Sequence, residues 1–363
     1  MDFFQRPTKA FLDGKGRVAT LGMLIVDHFQ VRDEAGTPVL VDGEAVSVER
    51  EMLADDIKMG GGGVFVDQGT DFPQAFVDEL ERLGKEMIWL RRRNGKTTRA
   101  LNIYSGHRIG EGQQSFKYLT PQLRLTLKDL VLSPSPFATA TPPEWIHVVC
   151  GNPRMRAIVD ELGGLRENQE SAVTIRLAWE PLPFSCVPQQ LDEMLSLASV
   201  VTVFSPNLLE LQSVLGLAPS SPPCHMEAQM AAETFCQHLE KRYSDCRPPV
   251  IVVRAGELGS FTLSSSWTGW VPAYWRESER EKVVDVTGGG NAFLGGFLAG
   301  LLVSSGDTKV ASIYASTAAS FAIQQRGPPH LENIDGQELW NGEIVWERLQ
   351  AMASRVQPLE LYT

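Results

Sequence analysis

Cysteine is scarce in this sequence, and the five present (Cys150, Cys186, Cys224, Cys236 and Cys246) are odd in number and widely scattered. No CxxC pair occurs, so neither a zinc site of that kind nor a disulfide framework is indicated. Positive charge is also in short supply. Lys and Arg number 33 against 44 Asp and Glu, a formal charge of −11, which argues against a nucleic-acid backbone as main partner. A small anion is still an option, because local basic residues can oppose the global field. The densest basic run, Arg91 to Lys96, reads as a solvated turn. Long apolar runs are missing too. The longest apolar helical stretch, Asn291 to Val303, is too short to span a bilayer, and the first seventeen residues lack a signal peptide's continuous apolar core. No membrane partner and a reducing, cytosol-like compartment are expected. No internal repeat is found.

What is present is an alternation of β-branched runs with amphipathic segments, the pattern of a mostly parallel sheet with crossover helices. Strands are expected at Val18–Asp27, Trp145–Gly151, Ala172–Trp179, Ser199–Asn207 and Pro249–Gly256. Helices are expected after most of them, and the one over Pro73–Gly84 has proline in its first turn and glycine at its end. Two segments break the rhythm. His28–Val48 and Arg99–Arg124 are polar and Gly-punctuated, and read as short strands of a flap beside the main sheet.

The chemistry-bearing residues cluster at the ends of these strands. Val283 to Phe297, VVDVTGGGNAFLGGF, runs from β-branched residues through Gly288, Gly289 and Gly290 to Asn291 and an apolar helix. Glycines let backbone amides approach an anion, and the helix behind them points its positive end at the same place. A tight turn would use the same glycines. Gly295, Gly296 and Gly300 read as helix-packing positions. Asn207 and Glu210 follow another strand and share a face of a first helical turn, where they serve either a ligand at the sheet's carboxyl edge or a capping box. Gly256 and Gly259 end a further strand, Asp27 ends the first, and Gly60–Gly63 follow the flap strands.

In this order the set resembles the PfkB, or ribokinase-like, carbohydrate and nucleoside kinases, over about Val18 to Gly327. FKYLTP (Phe116–Pro121) and WEPLP (Trp179–Pro183) are similar to a divergent fungal subgroup. The resemblance implies an α/β, ribokinase-like three-layer sandwich with a mostly parallel central sheet and a small β flap. It implies one domain over 1–363, lid segments near 28–48 and 99–124, and a helical tail near 331–363. It also implies ATP and Mg²⁺ as cofactors, K⁺ as a further cation, a small hydroxyl-bearing acceptor as partner, and pairing through the flap. By position, Asp27, Gly61, Gly62, Gly63 and Arg99 would face the acceptor, although a surface salt bridge competes for Arg99. Asn207 and Glu210 would organise magnesium and its waters. Arg254, Gly256 and Gly259 would lie along the nucleotide, with Ala315, Ala319 and Ile323 on its purine side. Asp285 and Thr287 would hold a monovalent cation, and Gly288, Gly289 and Gly290 would form the anion hole.

The match departs from the family in three places. The residue after the last loop glycine is Asn291 where the family has a proton-accepting Asp. An amide orients a hydroxyl but does not take its proton near neutral pH. The chain also runs straight from Gly63 into VFVDQGTDFP, without the helix and strand usual there, and Glu180 stands where Asp is common. Three readings stay open: a divergent phosphotransferase acting on a sugar, polyol or nucleoside; a pseudokinase that binds nucleotide and works through protein partners; and a member repurposed for other chemistry on a metabolite, for which no positive motif is present.

Overall fold

The computed structural model describes residues 18–20, 26–31, 40–41, 44–45, 47–49, 62–82, 88–104, 114–121, 125–131, 143–168, 175–220, 222–286 and 288–356. They fall into two compact units. The larger takes in 18–20, 62–64 and everything described from 126 onward; the smaller takes in 26–49 and 65–125.

In chain order the strands are β1 (Val18–Thr20), β2 (Val26–Val31), β3 (Leu40–Val41), β4 (Glu44–Ala45), β5 (Ser47–Glu49) and β6 (Gly62–Gln68). Next come β7 (Ile88–Arg92), β8 (Arg99–Tyr104), β9 (Gln114–Tyr118), β10 (Trp145–Val149) and β11 (Arg176–Glu180). The series goes on with β12 (Val203–Phe204), β13 (Val250–Arg254), β14 (Ser260–Leu263) and β15 (Thr268–Val271). In the larger unit the order is β15-β14-β13-β12-β11-β10-β1-β6. From β6 to β13 every neighbouring pair is parallel, and β14 and β15 return antiparallel.

Alternation along the central strands makes three layers. Ala178, Val203 and Val252 face the helices Gly289–Val303 and Thr308–Ala322, packing on Phe293, Leu294, Phe297 and Leu298. Their chain neighbours Trp179 and Phe204 point the other way, as successive strand residues must. There Phe204 stacks on Phe235 of the helix His225–Arg242 at 4.9 Å. Because both faces are covered, the strands read as near-continuous apolar runs rather than alternating ones. The helices Gly289–Val303 and Thr308–Ala322 pack closely through small residues. A Cβ on Gly296 would lie 2.6 Å from the Ala318 Cβ, and one on Gly300 would lie 2.5 Å from the Ala311 Cα. No helix of the described residues is long and apolar enough to cross a membrane.

In the smaller unit, the segments expected as a flap form a four-stranded sheet in the order β5-β2-β8-β9, and β3 pairs with β4. Continuing from the larger unit, β6 neighbours β7 there. Three expectations need correction. The run Val18–Asp27 is not one strand: β1 ends at Thr20, and Asp27 sits inside β2 opposite Ala100. The tail is not wholly helical either. Leu331–Ile334 and Gln337–Trp340 form a hairpin, followed by the helix Val345–Ala353. Its turn residues, Asp335 and Gly336, both have positive φ (52° and 81°), the Asp-Gly chemistry of a two-residue hairpin. The basic run is no plain turn, since Arg91 and Arg92 close β7 and only the remainder leaves the strand.

Close helix packing at Gly300 sets a test. Gly300→Ala should cost about 1–3 kcal/mol in urea unfolding, as overpacking does. Gly163→Ala, in the helix Asn152–Asn168 with nothing within 4 Å of a new Cβ, should be neutral or stabilising by up to ~1 kcal/mol. Equal effects would contradict the packing account.

Candidate functional site

The glycine turn is built in three steps. Gly288 adopts a left-handed conformation (φ 79°) as the N-cap of the helix Gly289–Val303, which favours a residue without Cβ. The Gly289 amide turns back to the Val286 carbonyl at 3.1 Å. The amides of Gly290 and Asn291 then lie in the first helical turn, where no intrahelical carbonyl is available, and they have no acceptor among the described residues. They stand at the positive end of a fifteen-residue helix. The approach to this turn is pinned from below, because the Val284 and Asp285 amides both donate to the Ile323 carbonyl (2.9 and 3.2 Å).

Behind the turn lies a buried charged network. β12 stops at Phe204, and the chain after it still pairs with both neighbours, the Ser205 amide donating to the Trp179 carbonyl (2.8 Å) and the Pro206 carbonyl accepting the Arg254 amide (3.0 Å). Beside it the side chains of Glu180 (end of β11) and Arg254 (end of β13) meet. Arg254 Nη1 is 2.6 Å from Glu180 Oε1, and Nη2 donates to the Ser205 carbonyl at 3.1 Å. Nη2 is also 3.7 Å from Glu210 Oε2. On the far side Glu180 Oε2 stands 3.6 Å from His147 Nε2, and His147 Nδ1 is 3.5 Å from Thr20 Oγ1. Gly290 rests on this network. A Cβ there would fall 2.1 Å from Arg254 Nη1 and 3.0 Å from Glu180 Oε1.

Burial works to raise the Glu180 pKa, but the Arg254 charge and the His147 contact outweigh it and hold the carboxyl below its usual range. For Glu210 burial wins over Arg254 and the Asn207 amide, and its pKa is raised. Cys186 is pushed up to about 12, first by burial and then by the Glu210 charge. A thiol held that high is not a nucleophile at neutral pH.

Asn207 and Glu210 do form the capping box of the helix Leu208–Leu215. Asn207 Oδ1 accepts the Glu210 amide and Glu210 Oε2 accepts the Asn207 amide, each at 2.8 Å. The larger unit thus gathers Asn207, Glu210, Arg254, Gly288–Asn291 and Ile323, together with Glu180, around the carboxyl ends of β11 to β13. Gly259 has a local reason to be glycine, since a Cβ there would sit 2.2 Å from the Val271 carbonyl; Gly256 has open space around it. Ala315 is fully buried in the helix-sheet core, and Ala319 is partly buried against that core. Gly62 and Gly63 start β6 beside Val18 and Ala19. In the smaller unit Arg99 Nη2 pairs with Asp71 Oδ2 at 3.0 Å, the competing role foreseen for it. Gly61 and Thr287 lie outside the described residues, as does the Asp27 side chain. Among the described residues no group of three or more His, Cys, Asp or Glu could hold a metal ion.

Sequence reasoning missed His147 and left Glu180 without a role. The available signal was a pair of opposite charges ending two core strands, since a buried charge needs a partner.

Residues 171–333 match the family described as pfkB family carbohydrate kinase. The chain is 27% identical over 360 residues to Protein MAK32 of Saccharomyces cerevisiae, covering 94% of this chain and 93% of that protein. An uncharacterized protein of Schizosaccharomyces pombe is also 27% identical, covering 91% of each chain. Among solved structures the fold is similar to ribokinase from Cryptococcus neoformans in complex with ADP (TM-score 0.58, 19% identity, 94% of this chain and 99% of that one). It is likewise similar to the Methanocaldococcus jannaschii nucleoside kinase (TM-score 0.57, 17% identity, 93% and 99%).

The ion pair predicts an acid-side signature. A Glu180 carboxyl held below the ordinary glutamate value of 4.5 contributes stability that is full above that value and is lost as pH falls through the lower folded one. Glu210, shifted upward, has the opposite sign: its ionised form costs stability as pH rises past 4.5. Glu180→Gln should therefore flatten the loss of stability below about pH 4.5 and cost roughly 3–5 kcal/mol at neutral pH. Unfolding free energies across a pH series check it, and an unchanged acid limb would contradict it.

Proposed function

We propose that this chain, whose residues 171–333 match the pfkB family carbohydrate kinase model and whose fold is similar to that of ribokinase-family kinases, is a divergent ATP-dependent phosphotransferase acting on a hydroxyl of a small sugar, polyol or nucleoside. The observation that carries this reading is the pair of amides, Gly290 and Asn291, that have no acceptor among the described residues, at the start of a buried helix. Such a helix start holds a phosphate by geometry and dipole together. Phosphoryl transfer depends mainly on positioning and electrostatic stabilisation, which backbone amides supply without a charged side chain. The acceptor oxygen would form its bond to the terminal phosphorus as the bond to the ADP oxygen breaks. The hydroxyl proton would leave to water or to a phosphate oxygen, because the Asn291 amide orients the hydroxyl without accepting the proton.

Glu210 would act on magnesium through water, since one of its oxygens is tied to the Asn207 amide. Asp285 is the remaining described candidate for a monovalent cation. Asp27, Gly62, Gly63 and Arg99 are our candidates for the acceptor side.

Asn291 itself favours a second reading, a nucleotide-binding pseudokinase that acts through partners. Missing base catalysis is worth about 10²–10⁴ in rate. ADP release against a panel of sugars, polyols and nucleosides should give acceptor-dependent turnover, and Asn291→Asp should raise it by about that factor. Thermal stabilisation by ATP·Mg²⁺ with no turnover in either protein would favour the pseudokinase. Neither stabilisation nor turnover would overturn both readings.

A further inference from the structure

Arg254 is a cation that the fold keeps inside at a cost. Its side chain is 15% exposed, and its Nε is buried without a hydrogen-bond partner among the described residues. Glu180 Oε2 is buried and likewise lacks one. A buried ion pair with orphaned atoms is often no more stabilising than apolar side chains of the same volume. Stability alone therefore does not explain the pair, and its location does. The guanidinium fills the space a side chain at residue 290 would occupy, directly behind one of the two amides that lack an acceptor among the described residues. Its plane is fixed on three sides, by Glu180, by the Ser205 carbonyl and by Glu210. The elements carrying these groups are the ends of β11 and β13 and the segment after β12.

We propose that Arg254 is a positioning residue for the terminal phosphate of a bound nucleotide. Clamped by Glu180, its guanidinium props the first turn of the helix Gly289–Val303, keeps the Gly290 and Asn291 amides aimed outward, and places positive potential behind them. Glu180 is then the clamp, which gives its replacement of the usual Asp a physical role. A longer carboxylate reaches across the end of the short β12 to the guanidinium. Only glycine at 290 allows the contact.

This inference rests on the nucleotide reading above and deepens it, and the test separates the two. Affinities for ATP, ADP and AMP with magnesium are measured by calorimetry on the full chain and on Arg254→Lys, Arg254→Met and Glu180→Gln, with far-UV circular dichroism confirming the fold. The wild type should bind more tightly as phosphates are added. In Arg254→Met the ATP affinity should fall about tenfold or more, while AMP, which does not reach the turn, should change less than about twofold. Arg254→Lys keeps the charge without the fixed fork and should fall between. Glu180→Gln should weaken ATP selectively as well. If Arg254→Met does not fold, the lysine and glutamine variants decide. Equal losses for all three nucleotides would mean a merely structural pair and would overturn the inference. So would a wild-type ATP-over-AMP preference left intact in both conservative variants. A wild type that binds none of the three would overturn this inference together with the phosphotransferase reading.

Discussion

The contact on which the rest of the site depends is that of the Arg254 guanidinium with the backbone at Gly290. It exists because Glu180 and Arg254, at the ends of the strands that flank β12, meet beside the segment that follows Phe204. Bringing two charges into a core is unfavourable unless they meet at good geometry. Here they do, at 2.6 Å. The glycine turn sits on the pair. Any larger residue at 290 would push the helix start off the guanidinium, so the sequence GGGN and the distant pair are one structural decision.

That arrangement explains how a site without a carboxylate at residue 291 keeps a use. A conventional base at this position adds a negative charge where an anion must bind. In the proposed reading Asn291 removes that charge and would leave the amides, the helix dipole and the buried cation to act on phosphate, a balance that favours holding an anion over accepting a proton. Its capping-box neighbour contributes the same way: Glu210 spends one oxygen on the Asn207 amide and faces Arg254 with it, so its charge is largely turned inward.

Much of this was legible in the sequence where local chemistry decides. Asn207 and Gly216 bracket a helix whose cap and left-handed terminus are where residue types place them, and the glycines at 296 and 300 serve close helix packing. The illegible parts are tertiary. An apolar run such as Val18–Asp27 carries no mark of where one strand stops and the next starts, so Asp27 reads as a strand end although it lies within β2. The Asp335-Gly336 pair marks a turn, but its flanking residues alternate weakly and read as part of a helical tail. Glu180, Arg254 and His147 lie on separate strands, and nothing local to any of them specifies their meeting.

The claim that backbone amides of the glycine turn receive a terminal phosphate is open to direct observation by ¹⁵N–¹H correlation spectroscopy with glycine and asparagine labelling. Addition of ATP with magnesium should displace the amide resonances of Gly290 and Asn291 strongly, and adenosine at the same concentration should leave them in place. Should both amides stay unmoved at saturating ATP while other parts of the chain respond, the phosphate would be bound elsewhere and the account would be wrong.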